Sequence, residues 1–537
     1  EAFEWSYYDS VLAGIQKMHS KTHRKPDNTF QALFCIDDRE GSLRRHIENF
    51  DPKCETYGTP GHFGIGMYYQ PQNSSFYTKV CPASITPKHL VKEIGESGKI
   101  EKDLHFSSKS IHPFWSIPFS FLTGFWSGLM MFFNIFRPSY STMATSSFTH
   151  MGKSSKLSIE NHGEHDHENG LQIGFTIDEM ANIVEGVFKS IGLVDNFGSV
   201  IYAFGHGASS INNTHYAGYD CGACSGRPGS VNARVFATIA NKKEVRAVLQ
   251  ERGLSIPDTT EVVSAMHDTT RDEFEFYDIE LLSESNQKFH NKNLEIFEKA
   301  LDMNAKERSR RFFSIDSKNA AAKVHNQVRN RSVSLFEPRP ELNHATNALC
   351  IVGRHSLHEG LFLDRRAFSN SYDYSIDLNG DLLLNILNAA VPVCGGINLE
   401  YYFSRVDNQK LGAGSKLPHN VMGLIGVTNG VEGDLRTGLP IQMVELHDPI
   451  RLLMIVEHFP EVILNVIQKN PSTYEWIENS WIQFVAVHPE TFDVYRFEKG
   501  EFKTYKPLKK LLDTVVDVDS LVESHDQNFP VYLIKQP

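Results

Sequence analysis

Apolar residues fall into three kinds of pattern along this chain, and each predicts a different element. Near the start, Phe3, Tyr7, Val11 and Ile15 recur at helical spacing, which predicts an amphipathic helix followed by a polar, Pro-containing stretch. Leu33-Phe34 and Val200-Ile201-Tyr202-Ala203-Phe204 are short unbroken apolar runs, the pattern of strands buried on both faces. A helix is expected from about Gly41, then a Gly/Tyr-rich loop through Gly58, Gly61, Gly64 and Gly66. Thr176-Ile177-Asp178-Glu179 forms a capping box that opens a helix through Ile191. Residues 230–253 read as a further helix, and the charged segment 286–332 as helical. From about 345 onward the pattern changes to short strands and Gly-rich loops, with helices near 381–390 and 448–468. No internal repeat is visible. Strands alternating with helices predict an α/β class.

The third pattern is a stretch without Asp, Glu, Lys or Arg from Ile111 to Phe136. It is long enough to span a bilayer, and Gly124 and Gly128 would permit close helix–helix approach. Pro113 and Pro118 oppose a clean span, and no second such segment accompanies it. Membrane association without crossing is the expectation, through a helix docked on a membrane partner or buried in the core.

Composition narrows the class. With 537 residues and 41% hydrophobic content the chain can fill two or three domains. A formal net charge of −12 argues against a general nucleic-acid binder. Seven cysteines, spread from Cys35 to Cys394, make no disulfide framework and fit a reducing compartment with metal-binding or free thiols. The first thirty residues show no secretory signal. The chain opens on Glu and its main motif comes almost at once, so a segment of a longer protein is expected. The anticipated divisions are a lead-in at 1–28, a core at 29–285 holding the apolar insertion 111–136, a charged helical connector at 286–344, and an α/β region at 345–537 that completes the core.

Two segments carry the chemistry. Cys35, Asp37 and Arg39 would share one face of extended backbone, placing a thiol, a carboxylate and a guanidinium together. Arg39 could hold Asp37 by a bidentate contact or release it. His206 stands between two glycines, and Cys221 and Cys224 form a C-x-x-C pair downstream. Both segments follow apolar strands, and in open α/β sheets ligands gather beyond the carboxyl ends of strands. Thiols, an imidazole and a carboxylate in one crevice make the ligand set of a zinc site. Each group has a plainer alternative: a buried core cysteine, a surface Asp–Arg pair, a loop histidine. A zinc deaminase is excluded, because Ala208 stands where its general acid would be. Residues 209–213 and Asp220 read as polar support for the ligands. His162, His165 and His167, with Glu164 and Asp166, read as a solvated lid able to bind metal only adventitiously.

Residues 34–48 (FCIDDREGSLRRHIE) and 55–64 (ETYGTPGHFG) resemble the first signature of the DabA family of inorganic-carbon transporter subunits. Residues 205–226 (GHGASSINNTHYAGYDCGACSG) resemble the second. Residues 361–373 (LFLDRRAFSNSYD), 397–416, 419–427 and 433–440 extend the likeness nearly to the C-terminus. The chain departs from the family at Thr214 and Ser225, and a substantial N-terminal region of relatives is absent.

The resemblance implies a β-carbonic-anhydrase-like core sheet with flanking helices and an additional C-terminal α+β region. It places zinc on Cys35, Asp37, His206 and Cys221, with Arg39 as the aspartate's partner and Cys224 outside the ligand set. The implied activity is zinc-dependent CO2 hydration to bicarbonate, with Asp37 and Arg39 as catalytic residues. Hydration would be coupled to an integral membrane, cation-translocating subunit resembling proton-pumping antiporter subunits. The chain would then sit peripherally on the cytoplasmic face of the inner membrane. Two rival readings remain: a stand-alone soluble β-type carbonic anhydrase, and a non-enzymatic scaffold with Cys35, His206, Cys221 and Cys224 all on the metal.

Overall fold

The structure is a computed structural model that describes residues 1–18, 28–95, 116–136, 150–163, 166–209, 219–334, 346–414, 447–508, 512–524 and 529–535, with short pieces between 419 and 441. Its architecture is mixed α/β, built around two large sheets. In the first, β1 (Gln31–Cys35) lies between β2 (Glu55–Thr59) and the strand Val200–Gly207, and Glu261–Asp268 follows, all parallel. Glu273–Tyr277 closes that edge antiparallel.

Alternate residues of these strands feed two cores. Leu33, Ile201 and Ala203 pack with the helices Ile177–Ser190 and Ser230–Ala240 on one face. Ala32, Phe34, Tyr202 and Phe204 pack on the other with α2 (Asp38–Phe50) and the helix Glu284–Ser309. A sheet covered on both faces needs apolar residues at every position, hence the unbroken runs in the sequence.

The second sheet repeats this plan. Leu349–Gly353 lies between Ala367–Ser371 and Leu453–Glu457, Gln483–Val487 follows in parallel, and Val494–Glu498 and Glu501–Tyr505 close the edge antiparallel. Chain order and direction of its first five strands match the first sheet, Glu501–Tyr505 being a sixth, although no sequence repeat announces it. The N-terminal helix α1 (Ala2–Met18) covers this second sheet through Tyr8, Val11, Leu12 and Ile15. Glu4 anchors it on Arg451, whose Nη2 lies 2.6 Å away. The two sheets meet edge to edge: Ser369 N donates to Ile36 O at 3.1 Å, and Gly58 N donates to Ser371 Oγ at 2.9 Å.

The capping box and its helix stand where the sequence places them. Three expectations are corrected. The helix after β1 begins at Asp38, because the Asp37 side chain caps it by accepting from Arg39 N. The segment 230–253 is two helices, Ser230–Ala240 and Lys243–Glu251. The apolar run at 448–468 is a buried strand, Leu453–Glu457, followed by a helix, Pro460–Gln468, with Pro460 starting the turn.

A smaller mixed sheet spans residues 67–173. Its insertion includes the helix Ser116–Phe136, whose apolar window Ser116–Phe133 is 0% buried. Residues 111–115 of the uncharged stretch lie outside the described residues. A second helix long and apolar enough to span, Asp381–Val406, is 39% buried and packs on the second sheet.

Candidate metal centre

Cys35 ends β1, and His206 lies at the carboxyl end of the neighbouring parallel strand. Cys221 begins a single 3-10 turn, Gly222–Cys224, held by a bridge to Arg227. The donor atoms of Cys35, His206 and Cys221 lie within 4.8 Å of one another, and all three residues are buried. Among the described residues this is the one such cluster of potential metal ligands. Gly205 and Gly207 lie in strand backbone, so the histidine is placed by the sheet and not by a turn.

Asp37 and Arg39 do not share a face of extended chain, since helix α2 starts between them. They meet through the bidentate contact the sequence allowed: Arg39 Nε lies 2.8 Å from Asp37 Oδ1 and Nη2 lies 2.9 Å from Oδ2. Arg39 Nη1 also donates to Tyr219 O at 2.6 Å and to Thr269 Oγ1 at 3.2 Å. This keeps Asp37 beside the thiol–imidazole cluster, with Oδ2 3.9 Å from His206 Nε2. Cys224 lies in the same buried cluster, hydrogen-bonded to Cys221, and its Sγ also donates to Gly61 O at 3.4 Å.

The electrostatics fit a cation. Hydrogen bonding to Cys221 and burial push the Cys35 thiol well above its usual range. Hydrogen bonding to Cys224, then burial, does the same to Cys221. Burial pulls the His206 imidazole down, but the Cys35 sulfur and the Asp37 carboxylate outweigh it and leave the pKa raised. His206 Nε2 is buried and makes no hydrogen bond. Two protonated thiols around an orphaned imidazole nitrogen make a cluster that a thiophilic divalent ion would relieve by displacing protons. Soft sulfur with imidazole matches zinc.

The supporting polar residues are in place where described. Ala208 N donates to Asp220 Oδ1 at 2.9 Å, and burial raises the Asp220 carboxyl to about 7. Residues 210–213 and Thr214 lie outside the described residues, as do Glu164 and His165 of the His-rich loop. His162 and His167 are exposed.

The sequence did not single out three supporting residues: Asp268, which accepts from Ser209 N at 3.2 Å, Thr269 and Gly61. Asp268 ends, and Thr269 follows, a strand that only tertiary pairing places beside His206. Gly61 carried a signal, a glycine in a short Thr-Pro-Gly-His run beside a cysteine strand.

A family model described as "Probable inorganic carbon transporter subunit DabA" matches residues 1–482. A relative from Azotobacter vinelandii bearing that name is 55% identical over 99% of this chain and 63% of its own length. One from Nitrosospira multiformis, with the same name, is 52% identical over 100% of this chain and 60% of its own. A more distant one from Rhodopirellula baltica is 37% identical over 96% and 50%. The chain thus spans half to three-fifths of the length of these curated relatives. No solved structure matches.

Proposed function

Given that this chain belongs to the family described as "Probable inorganic carbon transporter subunit DabA", we propose that it is the zinc-bearing part of an energy-coupled inorganic carbon uptake complex. On this reading its core is β-carbonic-anhydrase-like and it hydrates CO2 to bicarbonate. One observation carries the reading: two thiols and an unpartnered imidazole nitrogen converge at the ends of neighbouring parallel strands.

Cys35, His206 and Cys221 would hold the ion. Zinc would supply Lewis-acid activation of water, the chemistry that CO2 hydration needs near neutral pH. Asp37 is the variable element. Clamped on Arg39 it leaves the ion to three protein ligands, the number typical of catalytic zinc. Released, it could reach the ion as a fourth ligand and close the site. Arg39 holds the choice, because its guanidinium also spans Tyr219 O and Thr269 Oγ1.

A cation-translocating integral membrane subunit, resembling proton-pumping antiporter subunits, would bias that choice. The uncharged helix Ser116–Phe136 would seat on it, with the chain peripheral on the cytoplasmic face of the inner membrane. Phe121 and Phe125 are 79% and 77% exposed, a large apolar surface for a helix left in water.

Zinc content by elemental analysis tests the centre. The purified chain should carry about one zinc, lost in both Cys35→Ala and Cys221→Ala while helix content is retained. No zinc in the parent, or zinc kept by both variants, overturns the reading. CO2 hydration with and without membranes holding the partner then tests the coupling.

A further inference from the structure

We propose that the junction between the two sheets holds a binding site for a small planar oxyanion, bicarbonate being the member of that class supplied by the proposed activity. Only the identity of the anion rests on that activity; the site stands on its own residues.

Helix α2 carries Asp38, Gly41, Ser42, Arg45 and Glu48 on one side at helical spacing, with Arg44 beside them. That side and residues 355–369 of the second half enclose a cavity of about 50 Å³. The volume suits a few waters or one small anion. Four guanidiniums and two imidazoles line it: Arg44, Arg45, Arg365, Arg366, His355 and His358.

The lining carboxylates are Asp38, Glu48, Glu359 and Asp364. Glu48 lies 2.8 Å from His355 Nε2 and accepts the Thr56 hydroxyl. Asp364 is held by Arg310 and by Arg311, whose Nη2 is 3.1 Å away, and neither arginine lines the cavity. Asp38 accepts from Thr346 Oγ1 at 3.4 Å. Arg45 is paired with Glu307.

Arg44 and Arg366 give their N–H groups to neutral acceptors; Arg365 does the same, and its charge is felt by the buried Asp38 and Glu307. Arg365 Nη1 donates to two neutral oxygens, Ser42 Oγ at 2.8 Å and Asn304 Oδ1 at 3.1 Å. Among the described residues no carboxylate lies within ion-pair distance of it, and its Nε and Nη2 donate to nothing. Those two N–H groups form one edge of the guanidinium, the fork that grips a planar oxyanion in bidentate fashion.

His358 provides the second observation. Its Nε2 meets Ser369 Oγ at 2.8 Å, while its buried Nδ1 has no partner. Burial and the neighbouring His355 hold this imidazole well below its usual range, so it is a neutral ring. The residues that carry this guanidinium and this unpartnered ring nitrogen both line one small cavity. The site also explains residues 361–373, whose motif the metal centre leaves unused.

Its position suits a product. The N-cap of α2 is Asp37, so one helix has its first turn at the metal centre and its flank on the cavity. The cavity shares Glu48 and Glu359 with two larger ones of about 260 and 220 Å³.

Calorimetric titration of bicarbonate at mildly alkaline pH tests the site, on the parent chain and on Arg365→Gln, Arg365→Lys, His358→Phe and Cys35→Ala. The parent should bind a single bicarbonate. Arg365→Gln should weaken it by about tenfold or more, the loss expected for charged hydrogen bonds. Arg365→Lys should fall between, and nitrate should compete where chloride does not. Cys35→Ala should bind like the parent. Should Arg365→Gln fail to fold, Arg365→Lys and His358→Phe decide, and parent-like affinity in both overturns the site. Binding that is lost in Cys35→Ala and kept in the Arg365 variants assigns the anion to the metal centre and also overturns it. Zinc content separates the two readings. An Arg365-dependent bicarbonate in a zinc-free chain sinks the zinc centre alone, and zinc without that binding sinks this site alone.

Discussion

A Cβ on Gly61 would lie 2.8 Å from Cys221 Sγ, too close to be tolerated, and 3.1 Å from Cys35 Sγ, close enough to push it aside. Gly61→Ala should therefore spread the two thiols while leaving the fold intact, and chelator competition should read zinc affinity reduced by tenfold or more, on the order seen when a ligand's support is lost. On the proposed ligand set, Cys224→Ala should keep zinc, because Cys35, His206 and Cys221 converge without it, whereas loss of zinc would place Cys224 on the metal. Arg39→Ala leaves Asp37 buried without its counter-charge and should cost about 3–5 kcal/mol in urea unfolding of the zinc-free chain. That loss should shrink in the zinc-loaded chain, where the freed carboxylate has a cation to approach. The strand ends before Cys35 and at His206 were legible in the sequence, whereas Cys221 was separated from Cys224 only by the family resemblance. The sequence could not show that Arg39 also binds the Tyr219 carbonyl, because main-chain acceptors leave no trace in residue identity.

Helix α2 is fastened to the first sheet by a buried ion pair: His267 Nδ1 lies 2.9 Å from Glu40 Oε2, and Nε2 lies 3.5 Å from Asp272 Oδ1. Burial lowers the His267 pKa, but the Glu40 charge and Asp272 outweigh it and raise it to about 9. A raised folded-state pKa stabilises fully below the unfolded value near 6.5, and the benefit fades as pH climbs through about 9. Urea midpoints should thus fall across that window by the equivalent of about 3 kcal/mol, and His267→Gln should flatten the decline. For the helix Ser116–Phe136, Phe121→Ser, Phe125→Ser and Trp126→Ser together should leave the melting temperature nearly unchanged, as the exposed side chains support no core. The same variant should lose co-sedimentation with membranes that carry the partner. Elements with strong local signals were legible, among them the Thr176 capping box. The strand Leu453–Glu457 was mistaken for helix because a short apolar run with a helix behind it has no period to separate the two.

Among the described residues the two large sheets share the order of their first five strands and meet at their edge strands. A Cβ on Gly58 would lie 1.8 Å from Ser369 O, so the sheets are in backbone contact. Gly58→Ala should force the sheets apart and destabilise by about 3 kcal/mol, typical of severe overpacking, with zinc affinity falling too because Ser369 N bonds Ile36 O. Differential scanning calorimetry and zinc competition on that variant check both effects. The shared strand order was invisible in the sequence. Strand order is a property of long-range pairing, and two sheets can share it while sharing no motif. Those same long-range pairings govern how the protein is born. His206 follows Cys35 by 171 residues. At ribosomal speeds of about 5–20 residues per second, the first thiol emerges roughly ten to thirty seconds before the histidine that would share its ion. A zinc ion shared by these residues would therefore have to be loaded after the strand Val200–Gly207 has been made and has docked, and not when Cys35 first appears.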